Sequence, residues 1–439
     1  MAGSPLPRER GLMELYAEDP IRADALVFGR RTGPSRRGFL AGSGLAAMTA
    51  ALGLPIPFAR HMSAGLVPVA LAAAPSGTVI ARKEGLVVLG DRPLNAETPP
   101  HLLDDPVTPT ERHFIRNHGI TPEKTDPEGW TLVIDGEVER PLTLSIAELR
   151  RQFEVVSYAL QLECAGNGRA FFDPPAEGNQ WTFGAVGCAR WTGVRLADVL
   201  KAAGLKPSAV YTAHYGADLH LSGDPKKVTL SRGVPIAKAL NPYTLIAFEM
   251  NGAPIHPENG APLRLVVPGW AGSCSQKWLT RIWVRDREHD GPGMTGTSYR
   301  VPRYPVAPGE QVPPEDFVVV EAMPVKSLVT HPAHDSQVPV GRPFEVRGHA
   351  WAGDLEVTRV DVSFDFGASW QQAQLDPPVN PYAWQNWRIH LQLPQKGYYE
   401  IWARATDSRG RSQPFRVPLW NPKGYLNNAM HRIAVRATA

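Results

Sequence analysis

Cys164 is the residue of this chain with the widest chemical reach. It ends the run Leu160-Gln161-Leu162-Glu163 and opens Ala165-Gly166-Asn167-Gly168-Arg169, where two glycines and an asparagine let backbone turn sharply and approach a ligand closely. A thiolate is both a soft ligand for a transition metal and a nucleophile. Arg169 stands near enough in sequence to favour the thiolate by its charge. A cysteine hydrolase needs a histidine to take the thiol proton, and none of His214, His220 and His256 sits in a hydrolase signature. The other two cysteines, Cys188 and Cys274, read as small buried hydrophobes. Three cysteines cannot all pair within one chain; without C-x-x-C or C-x-x-C-H there is no dithiol redox pair, zinc ribbon or covalently attached c-type haem. Metal ligand, nucleophile and buried sulfur are the roles open to Cys164.

A strand must carry that sulfur. Val156, Tyr158, Leu160, Leu162 and Cys164 alternate with Ser157, Gln161 and Glu163, which puts Cys164 at the end of the apolar face of a strand from Val155 to Glu163. Upstream, strands from Trp130 to Asp135 and Pro141 to Leu144 flank an Asp135-Gly136 turn, and Ser145-Ile146-Ala147-Glu148 is a capping box opening a short helix. Arg195 to Gly204 reads as a helix stopped by glycine, and Thr244 to Met250, Leu263 to Val267 and Lys277 to Val284 as strand-like segments. Together they predict a mixed α/β (α+β) domain over residues 75–298, with a proline-rich wrapping segment to about residue 126. A proline-rich connector, 299–322, leads into 323–439. There Phe344 to Gly348, the alternating Val360, Val362, Phe364 and Phe366, and Tyr398 to Ala405 predict a β-sandwich.

The 439 residues suffice for two or three domains, and 43 prolines with 40 glycines suit strands and loops better than a helical bundle. In region 1–74, Ser35-Arg36-Arg37-Gly38-Phe39-Leu40 precedes a charge-free stretch rich in Ala, Gly and Leu and then the small residues Ala70 to Ala74. This is the pattern of a twin-arginine export signal, so a periplasmic or exported, soluble product is expected, with no membrane span once the leader is removed. The first 70 residues carry eight arginines against five acids and account for the chain's net +3. The remainder is near neutral, which leaves no electrostatic footprint for nucleic acid.

Several motifs in one order resemble the sulfite oxidase family of molybdenum oxidoreductases. They are Phe114-Ile115-Arg116-Asn117-His118, Cys164-Ala165-Gly166-Asn167, Trp181 through Gly184-Ala185 to Arg190-Trp191, Phe248-Glu249-Met250-Asn251-Gly252, Pro262 to Gly269 and Lys277-Trp278-Leu279. Downstream, Val325 through Trp420-Asn421-Pro422-Lys423-Gly424 to His431-Arg432 resembles that family's immunoglobulin-like dimerisation domain. The resemblance implies that Cys164 is the protein's single ligand to molybdenum, the other sulfurs coming from the dithiolene of a molybdopterin cofactor. It places Arg116, Asn117, His118, Arg264, Ser275 and Lys277 around that cofactor. Arg116 and Arg169 would receive an anionic substrate, with Trp181 as a pocket wall. The implied reaction is oxidation of sulfite to sulfate by a homodimer, with electrons passed singly to an external acceptor of the cytochrome c type, since the chain has no haem motif.

Three departures bear on the substrate. Gly168 stands where vertebrate sulfite oxidases have a second arginine. No tyrosine precedes Val234-Pro235-Ile236, where a pocket tyrosine is expected; Thr229-Leu230-Ser231-Arg232 is there instead, with Arg232 a possible replacement for lost basic charge. No arginine of the second domain reaching the anion site is found near Asn380-Pro381-Tyr382-Ala383-Trp384. Leu230 to Pro235 is also similar to bacterial sulfane dehydrogenases, which oxidise protein-bound sulfur with a haem partner. A different class of reading, a cofactor-free binding module working through its β-sandwich, has no need to keep Cys164 together with Arg116, Asn117 and His118.

Overall fold

The alternating run that ends at Cys164 forms the strand Val155–Glu163, which pairs antiparallel with Val186–Arg195 through unbroken register from Val155↔Val194 to Glu163↔Val186. The computed structural model describes residues 80–123 and 125–439; the leader expected over 1–74 lies outside them. Leu245–Met250 adds to the other edge of Val186–Arg195, with Arg264–Val266 paired to it. A second sheet runs Leu142–Ser145, Thr131–Gly136, Leu279–Arg285, Tyr211–Gly216, Gly233–Pro235. Between the sheets lie the short helices Ile146–Gln152 and Leu196–Ala203. The first opens with the expected capping box and the second ends at Gly204, φ +75°. Leu149, Val199, Leu200 and Ile282 are completely buried there, and burial of such side chains contributes about 1.5–3 kcal/mol each.

The wrapping segment has more order than its sequence suggested. Val87–Asp91, Leu94–Glu97 and Ile115–Arg116 make a small antiparallel sheet, with Asn95 opposite Arg116. The buried carboxylate of Glu97 accepts from Thr182 N at 2.8 Å and so pins the loop that carries Trp181. Farther along, Leu103 O accepts from His349 Nε2 (2.7 Å) and Pro106 O from Trp384 Nε1 (2.7 Å), tying this segment to the C-terminal domain.

The C-terminal domain is the expected sandwich. One sheet orders Lys326–His331, Phe344–Trp351, Gln385–Leu391, Gln374–Leu375; the other orders Ser336–Pro339, His431–Thr438, Gly397–Asp407, Val357–Ser363, Gln371–Gln372. Val346, Val360, Val362, Ile401, Ala403 and Val435 fill the space between them with no exposure. In the connector, Arg300–Pro302 pairs with Phe317–Val319. Among the described residues no helix is long and apolar enough to cross a membrane.

One expectation from the alternation fails. Gln161 and Glu163, on the polar face of the Cys164 strand, are as buried as Leu160 and Leu162. The second domain covers that face: Gln161 N donates to Tyr382 O at 2.9 Å, and Glu163 is enclosed by Lys326 and Trp351. Alternation records which face is apolar, and a polar face can still be buried when another domain supplies its hydrogen-bond partners.

Candidate active site

The Cys164 strand ends where Cys164 N donates to Ala185 O, and Asn167 N closes the following turn onto Cys164 O, both at 2.9 Å. Asn167 Oδ1 accepts from Ala185 N (3.1 Å), which locks the turn to the neighbouring strand. Gly166 makes room for Arg169: a Cβ on it would lie 2.2 Å from the guanidinium, which folds back over the turn and would have to move. Gly168, the position of the missing second arginine, has φ +92°, and a Cβ there would meet the Asn427 amide at 2.6 Å. A side chain at Gly168 is excluded by backbone and by space.

Cys164 lies where two cavities meet. The inner one is small, about 50 Å³, and the outer one about 410 Å³; Arg116, His118, Cys164 and Tyr299 line both. Arg264, Ser275 and Lys277 line the inner cavity, and Arg169 and Trp181 the outer. Asn117 lines neither and stands one layer behind. Its Oδ1 accepts from Lys277 Nζ and its Nδ2 donates to Glu258 Oε2 at 2.6 Å, so it aims the lysine and does not face the cavity.

The inner cavity is lined by buried polar groups that lack hydrogen-bond partners. Arg264 is buried, with one hydrogen bond to Asn259 O (2.8 Å) and a partnerless Nε. His113 Nε2, Ser273 Oγ and Gln276 Oε1, all on the same cavity wall, are likewise buried without partners. Buried polar groups in folded proteins are almost always satisfied, so a cluster of orphans marks a ligand's place. Burial pushes the Arg264 pKa down to about 9. Burial, and then repulsion from Arg264, push Lys277 well below its usual value. Ser275 Oγ already accepts from Val267 N (2.9 Å), leaving its proton to donate. These crowded cations and spare donors suit a phosphate-bearing pterin. Among the described residues no three His, Cys, Asp or Glu side chains gather to hold a bare metal ion.

The outer cavity contains residues that sequence reasoning missed. Tyr299, which opens the connector with φ +53°, hydrogen-bonds through its hydroxyl to His118 Nε2. The expected lack of a pocket tyrosine is therefore corrected: the phenol comes from another segment. Burial raises the Tyr299 pKa, and burial followed by the charges of Arg116 and Lys277 holds His118 well below 6.5, so both are neutral at pH 7. The second domain contributes a lysine to the outer cavity. Asn380 is turned to Ala159 O (2.8 Å), but Lys423 lines the outer cavity and pairs with Glu177 at 2.6 Å. Lys423 lies in the Trp420-to-Gly424 motif, a signal read only as a domain marker.

Arg232 does not replace basic charge in the site. It is fully buried beneath Tyr299, 4.8 Å from the ring, donating to Gly293 O (3.2 Å) and Val320 O (3.0 Å), and lines neither cavity. Arg169 is anchored by Nε to Lys423 O and by Nη1 to Asn179 O, each 2.7 Å, above the Tyr425 ring. Trp181 is fully buried with Leu160, Leu162 and Cys164 and forms a rigid wall.

The Oxidoreductase molybdopterin binding domain family matches residues 118–292, and the Mo-co oxidoreductase dimerisation domain family matches residues 318–438. Sulfite oxidase of Gallus gallus is 36% identical over 369 residues, 80% of this chain and 78% of that protein. The mitochondrial sulfite oxidase of Homo sapiens is 35% identical over 376 residues, 81% of this chain and 66% of its own length. Among solved structures, the sulfane dehydrogenase SoxCD of Paracoccus pantotrophus superposes with a TM-score of 0.66 at 25% identity, over 88% of this chain and 100% of that one.

Proposed function

Since the chain belongs to the sulfite oxidase family of molybdopterin oxidoreductases, and thus oxidises a sulfur compound with a molybdenum cofactor, we propose that its substrate is sulfite and that Cys164 ligates the metal. The observation that carries this reading is the outer cavity, which sets Arg116, Arg169 and Lys423 around the Cys164 end of the inner one, lined by Arg264, Ser275 and Lys277. When bound, molybdopterin supplies a metal that takes two electrons from the substrate, while water provides the oxygen and two protons are released.

The chain's own residues do the rest. The inner cations, Arg264 and Lys277, hold the cofactor's anionic end, and His118 and Arg116 stand between it and the substrate. Planar guanidinium groups match an oxyanion better than ammonium does, so Arg116 and Arg169 orient sulfite, and Lys423 adds charge at the rim. The neutral Tyr299 hydroxyl donates a hydrogen bond without adding charge. Trp181 gives the pocket a fixed apolar wall. Electrons leave singly to an external cytochrome c-type acceptor, and the dimerisation domain supports a homodimer. The Arg36-Arg37 leader supports twin-arginine export to the periplasm, which fractionation of cells carrying Arg36→Lys/Arg37→Lys tests.

Oxidation of protein-bound sulfur is the second reading, favoured by the likeness to SoxCD. The deciding experiment is reduction of ferricytochrome c by purified, molybdenum-assayed protein on addition of sulfite, with no other subunit present. Fast turnover supports sulfite; stoichiometric molybdenum without turnover overturns it in favour of bound sulfane and a haem partner.

A further inference from the structure

Glu163 immediately precedes Cys164, and its side chain is completely removed from solvent. Its oxygens are saturated. Oε1 accepts from Lys326 Nζ and from Asn167 Nδ2 (3.0 Å), and Oε2 accepts from Trp351 Nε1 (2.8 Å). Lys326 and Trp351 belong to the second domain, where they face each other in register at the ends of adjacent strands. Lys326 Nζ also donates to Asn167 O at 3.3 Å, so one ammonium grips both ends of the Cys164 turn.

The grip continues along the loop. Leu426 N donates to Ala165 O (2.9 Å), Asn427 Nδ2 donates to Gly168 O (2.7 Å), and Lys423 O accepts from Arg169 Nε. All these partners lie in the second domain.

A buried ion pair is poor value as a stabiliser, because desolvation of both charges offsets their attraction and well-packed apolar residues do as well. Such pairs are best attested where they set a register, and a fully satisfied polar network in a low-dielectric interior is rigid. We propose that the Glu163–Lys326 pair, braced by Trp351, is the device through which the second domain positions the Cys164 sulfur for molybdenum. Lys326 is therefore a positioning residue of the active site, although it lies in the domain whose matched family is named for dimerisation. The inference rests on the reading of Cys164 as the metal ligand.

Lys326→Met alone would strand a buried carboxylate, so the test pairs it with Glu163→Gln, whose amide oxygen still accepts from Asn167 or Trp351. Trp351→Phe, which removes one donor, is the second variant. For the purified holoenzymes the measurements are molybdenum per chain, the paramagnetic signal of the singly reduced metal, and kcat and KM for sulfite. For cofactor-stripped protein the measurement is the rate at which iodoacetamide alkylates Cys164. We expect the double variant to keep its molybdenum and its KM within about twofold, because Arg116, Arg169 and Lys423 are untouched. Its kcat should fall about tenfold, with shifted g values and alkylation faster by about fivefold, as misplacement of a reacting centre dictates. Trp351→Phe should move the same readouts less far in the same direction. Unchanged signal and kcat in both loaded variants, with unchanged alkylation of the stripped ones, would overturn the proposal. A paramagnetic signal unchanged in Cys164→Ser would instead overturn the ligand reading on which it rests.

Discussion

Lys423 of the second domain meets Glu177 of the first across 2.6 Å at the wall of the outer cavity. The carboxylate is exposed and competes with an incoming anion for the lysine. Glu177→Gln is expected to lower KM for sulfite about two- to fivefold at low ionic strength, with the gain fading at about 0.5 M salt, where the screening length is only a few ångströms. Lys423→Ala should raise KM. Steady-state kinetics across a salt series check both, and a KM indifferent to Glu177→Gln at every salt concentration sinks the idea of competition.

Cys164→Ser removes a soft ligand but little volume. The expected result is turnover lost by more than about a hundredfold, with a melting temperature within about 3 °C of wild type in cofactor-free protein. Retention of turnover within about tenfold rules Cys164 out as the ligand.

Arg264→Met separates cofactor binding from folding. In the cofactor-free protein Arg264 is a buried cation with one hydrogen bond and a like-charged neighbour in Lys277, so the apolar substitute should be at least as stable. Molybdopterin retention should fall about tenfold or more. Melting of the stripped protein and metal assay of the purified one measure the two effects, and a large loss of stability without the cofactor contradicts the argument.

Tyr299→Phe keeps the ring above Arg232 and removes the hydroxyl bonded to His118. On the proposed role of the phenol as a donor to the substrate oxyanion, kcat/KM should fall about 10- to 100-fold, with an unchanged fold. An intact kcat/KM would show that the hydroxyl does not touch the substrate.

Stability should depend on pH through buried histidines that line neither cavity. Burial pushes His214 and His431 down to about 3 and His349 to about 4, so each is neutral in the fold at a pH where the unfolded chain protonates it. The unfolded state binds more protons, so stability rises with pH through this window. It is fully present above about pH 6.5 and is lost as pH falls toward 4 and then 3. Calorimetry in buffers of different ionisation enthalpy should detect proton uptake on unfolding between pH 4 and 6; no uptake there would contradict the assignment.

How far this was legible differs from residue to residue. The strand Val155–Glu163, its capping-box neighbour and the glycine stop at Gly204 were readable because each depends on local periodicity or on a backbone rule within a few residues. Arg116, His118, Cys164, Arg264, Ser275 and Lys277 were named from motifs, and the fold brings them to the two cavities from separate strands and loops. Tyr299 and Lys423 were not named as site residues because neither belongs to the local pattern of the segments around Cys164. Arg232 was misjudged in the opposite sense: its position looked like an anion site, but the chain turns it beneath Tyr299 onto backbone carbonyls.

The sequence by itself determined which residue types the chemistry would use, which runs would be strands, and that the second half would be a sandwich. Only the tertiary structure decided where the second domain sits on the first. That placement buries Glu163 against Lys326 and delivers Lys423 to the anion cavity, and it follows from long-range packing and hydrogen-bond satisfaction, which leave no periodic mark on either segment alone.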